Sequence, residues 1–231
     1  MKRKNIEQIN KLFPNRFPET CGSEALIFYL KYVVFKEFIS STPVDTLKRK
    51  ESKLLELEKQ SELQKYYPKI LYLVDSLLNE YIRGYIMKPA RGRAISREDL
   101  SFELKMKALN NLRNILALFR NNGYLYLDIR QPNIRVDSKE NPILLDIDSI
   151  LQIDNPEFDC IPTDIKKYIE NGGQVNTNTQ IFMFNIFSQD ALKLNKNMVD
   201  QTGAKILREL DSYTYDSAVD HEYLMDHVKI R

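Results

Sequence analysis

Apolar and polar positions alternate along the chain with two different periods, and these mark out its elements. Asn5–Leu12 reads as a short helix that ends near Pro14. Leu26 to Phe38 is rich in Ile, Phe, Tyr and Val, which predicts two strands with a tight reversal near Leu30–Tyr32. Val44–Leu63 is helical and heavily charged, with Leu47, Leu54, Leu55 and Leu57 as its apolar stripe. Two more strands, Ile70–Asp75 and Glu80–Met87, lead into Lys88-Pro89-Ala90-Arg91-Gly92-Arg93, whose proline and glycine mark a linker. Arg91 and Arg93 read as solvent-facing charges there. Ser101–Asn121 is the clearest helix, carrying Leu109, Leu112, Leu116 and Phe119 on one face and Gly123 at its end. Two short apolar strands, Ile134–Val136 and Ile143–Leu145, flank the polar turn Asp137–Asn141 and predict a hairpin. Beyond it the pattern predicts helices over Ile161–Asn171, Thr179–Leu194, Met198–Tyr213 and Ser217–Val228.

The hairpin focuses the candidate chemistry. Asp128 and Asn133 precede it and Asp146 closes it, so strand pairing is expected to bring Asn133 and Asp146 together across the gap in sequence. Oxygen side chains gathered in this way suit a metal ion and a phosphate. Composition narrows the setting. At 231 residues and 43% hydrophobic content, the chain can bury one large domain or two lobes. A net charge of +2 gives no global field for nucleic acid or an anionic membrane, and neither is expected as a partner. Cys21 and Cys160 form no Cys-x-x-Cys pair, and no apolar run approaches a membrane span or a signal peptide, so a cytoplasmic location is expected. His221 and His227 stand apart from any metal-like constellation.

Tyr126-Leu127-Asp128-Ile129-Arg130-Gln131-Pro132-Asn133 and Asp146-Ile147-Asp148 resemble the catalytic loop H-R-D-x-x-x-x-N and the metal-binding D-F-G of the protein kinase-like superfamily. That resemblance implies an α+β fold of two lobes, with a small antiparallel-sheet N-lobe over residues 1–88 and an abbreviated helical C-lobe over 89–231. It assigns Asp128 to orient the acceptor hydroxyl and take its proton, and Arg130 to the place of a lysine that touches the transferred phosphate. Asn133 and Asp146 become magnesium ligands. Asp148 stands in place of the glycine and is either a second metal ligand or a loop cap. Upstream, Gly22-Ser23-Glu24-Ala25 takes the place of the glycine-rich loop over the phosphates, with Gly22 alone left of G-x-G-x-x-G. Lys36 takes that of the phosphate-binding lysine. Glu51 is the choice for its helical partner, with Glu56 and Glu58 as alternatives, and the main chain of Met87 and Lys88 would form the hinge that binds adenine.

The function so implied is transfer of the ATP γ-phosphate, with magnesium, to a hydroxyl, foremost a protein Ser/Thr. The D-x-D ending is similar to aminoglycoside-type phosphotransferases and keeps a small-molecule acceptor as the alternative. Another class is a pseudokinase acting as a nucleotide-binding or scaffold module, suggested by the thin glycine loop and by Leu127 in place of the motif's arginine. Without that arginine and without Ala-Pro-Glu, no activation by phosphorylation between Ile150 and Asn178 is expected.

Overall fold

The computed structural model describes residues 1–14, 17, 18, 20, 21, 24–30, 32–78, 80–154, 162–213 and 222–229. It is a mixed α+β protein that divides into two compact units, Met1–Ala90 and Arg91–Arg231.

The first unit holds β1 (Lys2–Asn5), α1 (Ile6–Leu12), β2 (Thr20–Cys21), β3 (Ala25–Leu30), β4 (Val33–Phe38), α2 (Val44–Lys59), β5 (Ile70–Asp75) and β6 (Ile82–Met87). They make one six-stranded sheet in the order β1-β5-β6-β4-β3-β2. The sheet is mixed rather than antiparallel, because β1 runs parallel to β5, with Arg3 opposite Leu73. Asn5 ends that strand and starts α1 in a capping box, accepting from the Glu7 N–H while Gln8 accepts from the Asn5 N–H. Alternation along β4 sorts its side chains. Phe35 packs with Ile6 and Ile9 of α1, whereas Lys36 and Phe38 lie on the opposite face, toward α2.

Gly84 sits where β6 crosses β4, opposite Glu37. A Cβ there would collide with the Lys36 carbonyl oxygen, so only glycine permits this close approach.

The second unit begins with β7 (Arg93–Ala94) and continues through α3 (Phe102–Asn121), β8 (Tyr124–Leu125), β9 (Ile134–Val136), β10 (Pro142–Leu144), β11 (Leu151–Gln152), α4 (Thr163–Glu170), α5 (Thr177–Leu192) and α6 (Gln201–Ser212). Ser101 caps α3 by accepting from the Leu104 N–H. β7, β9 and β10 form a three-stranded sheet, and β8 pairs with β11. Arg93, expected as a solvent-facing linker charge, instead belongs to β7, where Arg93 and Ala94 pair with Val136 and Arg135 of β9. Gly92 turns the chain into that pairing with φ +147° and lies against the Val136 carbonyl.

Helix α5 is buried nearly all round and packs on α3, α4 and α6. The final helix expected over Ser217–Val228 is not formed in its described part, where a single 3₁₀ turn covers Leu224–His227. Side chains hold that segment: Asn185 accepts from the Leu224 N–H and donates to the Glu222 carbonyl, each at 2.9 Å. Residues 217–221, His221 among them, and Cys160 lie outside the described residues. Among the described residues no helix is long and apolar enough to cross a membrane.

Candidate active site

Helix α3 ends at Gly123, whose φ of +85° turns the chain into β8 and then into the loop that carries Asp128. Asp128 is buried, and both its carboxylate oxygens are engaged. Oδ1 accepts from Arg130 Nε at 2.8 Å, and Oδ2 accepts from Asn133 Nδ2 at 2.6 Å. The same Asn133 nitrogen also donates to the Asp128 carbonyl at 3.2 Å. Carboxylate and carbonyl oxygens only accept, so these contacts fix which way the amide faces. Its Oδ1 is turned away from them, and it accepts no hydrogen bond among the described residues. An amide oxygen held in this way is a ready ligand for a hard cation.

Pairing of β9 with β10 brings the second motif to the first. Leu144 lies opposite Ile134, and the Leu145 N–H donates to the Asn133 carbonyl at 2.7 Å, which delivers Asp146 beside Asn133. Asp146 adopts a left-handed backbone, φ 56° and ψ 40°. Its carbonyl accepts from both the N–H and the hydroxyl of Ser149, at 3.1 and 2.7 Å. Asp148 is fully buried in the following 3₁₀ turn, Ile147–Ser149. Among the described residues no three His, Cys, Asp or Glu side chains converge as a metal centre. What the hairpin sets against Asn133 is the backbone of Leu145, the residue that leads into the D-x-D.

Two buried residues that the motifs did not single out brace this loop. Tyr126 donates its hydroxyl to the Leu145 carbonyl at 2.5 Å. Burial, with the charges of Asp128 and Asp148, pushes its phenol well above the ordinary tyrosine range, so it stays a donor. Gln180 of α5, 0% exposed, donates to the Tyr126 carbonyl at 3.2 Å and accepts from Arg120 at 2.8 Å. A signal for Gln180 exists in the sequence, since it is an amide next to the apolar run Ile181–Phe184; its partners could not be read there.

In the first unit, Lys36 is 5% exposed, and its ammonium lies 5.9 Å from the ring centroids of Phe38 and of Tyr85. The structure does not bring Glu51 to it. Glu51 accepts instead from Arg3 of β1, which also binds Asp75 of β5. The inward position of α2 belongs to Lys50, 1% exposed, ion-paired to Glu24 at 3.0 Å and 5.5 Å from the Phe38 ring. Of the alternatives, Glu58 lies 2.6 Å from the Met1 amine. Met87 pairs with Val34 on one side and Ile70 on the other, and the Lys88 N–H donates to the Lys69 carbonyl at 2.9 Å. The Lys88 N–H expected to serve adenine is thus committed inside the sheet. Gly22 and Ser23 lie outside the described residues; the strands that flank them, β2 and β3, pair antiparallel with Cys21 opposite Leu26.

No protein-family model matches the chain, and no curated protein matches it.

Proposed function

We propose that the chain is an ATP- and magnesium-dependent phosphotransferase of protein kinase-like type, moving the γ-phosphate to a hydroxyl acceptor, foremost a protein Ser/Thr. The observation that carries this reading is the Asn133 amide. It donates twice to Asp128 and keeps its oxygen open, one residue pair from the strand exit where Asp146 stands. An amide and carboxylates offer only oxygen, the donor set magnesium takes together with waters.

Phosphoryl transfer is catalysed mainly by positioning and by stabilising charge on the transferring oxygens. Asn133 and Asp146, with Asp148 behind them, would hold the ion, whose chemistry is to neutralise charge on the phosphate oxygens. Asp128 would accept the hydroxyl proton. Its Oδ1 becomes available when Arg130 leaves it, and that side chain is 63% exposed and can swing toward an arriving phosphate. Lys36, a buried cation on the sheet, is proposed to hold the nucleotide phosphates.

The test is turnover of radiolabelled ATP with magnesium, comparing the wild-type chain with Asp146→Asn in the presence of a generic protein acceptor. Label on protein that vanishes in the variant supports the Ser/Thr reading. Hydrolysis without protein labelling points to a small-molecule acceptor. The pairing of Glu51 with Arg3 rather than Lys36 favours a second reading, a nucleotide-binding or scaffold module without turnover. In that case ATP with magnesium raises the melting temperature while no phosphate is released.

A further inference from the structure

We propose that Tyr126 and Ser149 are positioning residues that lock Asp146 in its left-handed backbone and thereby aim its carboxylate at the cation; this rests on the phosphotransferase reading. Among the described residues, four other than glycine have positive φ: Glu140, Asp146, Lys193 and Tyr213. Glu140 closes a hairpin turn, and Lys193 and Tyr213 cap the ends of α5 and α6, places where this conformation is usual. Asp146 alone stands at the exit of a buried strand, where it is held at an energetic cost.

Both of its backbone angles are pinned by hydrogen bonds. The peptide plane before Asp146 carries the Leu145 carbonyl, which accepts from the Tyr126 hydroxyl at 2.5 Å. The Leu145 N–H, in the plane one step earlier, is bound to the Asn133 carbonyl, so Leu145 is held on both sides and the plane that enters Asp146, and with it φ, is held by the Tyr126 bond. The plane after Asp146 carries its own carbonyl, which accepts from the Ser149 N–H and hydroxyl, and ψ is fixed. The two hydroxyls therefore determine where the Asp146 carboxylate points. Tyr126 stands two residues before Asp128, so the same bond ties the base-bearing loop to the metal-bearing one.

The experiment measures Mn²⁺ binding to the full chain by water-proton relaxation enhancement, with a non-hydrolysable ATP analogue present. It compares the wild-type chain with Asp146→Asn, Tyr126→Phe, Ser149→Ala and Ser149→Thr, and circular dichroism checks that each is folded. We expect Asp146→Asn to abolish tight binding. Tyr126→Phe and Ser149→Ala should each weaken it about tenfold, the lower range for groups that orient a metal ligand, and Ser149→Thr should restore it. If wild type binds Mn²⁺, Asp146→Asn does not, and both Tyr126→Phe and Ser149→Ala bind as wild type, the positioning role is overturned while the phosphotransferase reading stands. If wild type binds no Mn²⁺, or Asp146→Asn binds it equally well, the metal site itself fails and this inference fails with it.

Discussion

Replacing Gln180 by methionine removes a buried amide while nearly conserving volume. Gln180 is 0% exposed, its nitrogen serves the Tyr126 carbonyl, and its oxygen serves Arg120. Methionine can do neither. The Tyr126 carbonyl, left without this donor in the interior, costs about 1–3 kcal/mol. The lost bond to Arg120 is charge-assisted, but Arg120 is only half-buried and regains water, so its share falls to about 0.5–1 kcal/mol. The methionine shape change adds less than about 1.5 kcal/mol. The expected loss is about 2–4 kcal/mol, or roughly 5–15 °C in melting temperature for a unit of this size. Thermal and urea unfolding followed by circular dichroism read it directly. Gln180→Glu should be at least as damaging, because a carboxylate keeps the Arg120 bond but meets the Tyr126 carbonyl with like polarity. A loss below about 1 kcal/mol for Gln180→Met would show that the loop does not depend on this bridge, and the reasoning would be refuted.

Gly84→Ala should push β6 away from β4 at Lys36 and Glu37, lowering the urea midpoint by the equivalent of about 1–3 kcal/mol; an unchanged midpoint would contradict the close approach. Burial opposes the charge on His227, but hydrogen bonds to Asp200 at 3.1 Å and Glu222 at 3.3 Å, with their charges, outweigh it and raise its pKa. A raised native pKa contributes stability that is full below the ordinary histidine value, about 6.5, and is lost as pH rises through the native value. The difference in urea midpoint between wild type and His227→Gln should therefore shrink with rising pH, and a pH-independent difference would count against the clamp. The hydrogen bond from Tyr213 to the Asp164 carboxylate, reinforced by burial, pushes that phenol up to about 12. Ultraviolet titration of Asp164→Asn should show one tyrosine returning toward the ordinary range, and an identical titration curve would disprove the pairing.

Much of the second unit was legible because local signals agreed there. Ser101, the leucine face and Gly123 delimit α3, and the paired apolar triplets about Asp137–Asn141 specify the hairpin that brings Asn133 to Leu145. The Lys2–Asn5 strand escaped because Lys-Arg-Lys-Asn has no apolar alternation. It is held by backbone pairing with β5 and by the Arg3 ion pairs, long-range contacts that a local pattern does not carry. Glu51 was misplaced by helical phase. The stripe that faces the sheet is Leu47, Lys50, Leu54 and Leu57, so position 50 lies inward and position 51 turns toward β1. A lysine on that stripe reads as surface until Glu24 and the Phe38 ring are seen to receive it. The left-handed Asp146 was invisible for a similar reason, since the hydroxyls that fix it come from opposite sides of the motif.

The short pairing of β7 with β9 has a mechanical consequence. Only two residue pairs, Arg93 with Val136 and Ala94 with Arg135, attach the entering chain to the hairpin, together with an Arg135 bond to the Gly92 carbonyl at 3.2 Å. So short a register offers few bonds to resist a load on residues 91–92. The first material to feel the load is β9, which follows directly on Asn133. Only a few residues of chain therefore separate the entry to this unit from the candidate metal ligand, by way of the strand that follows it.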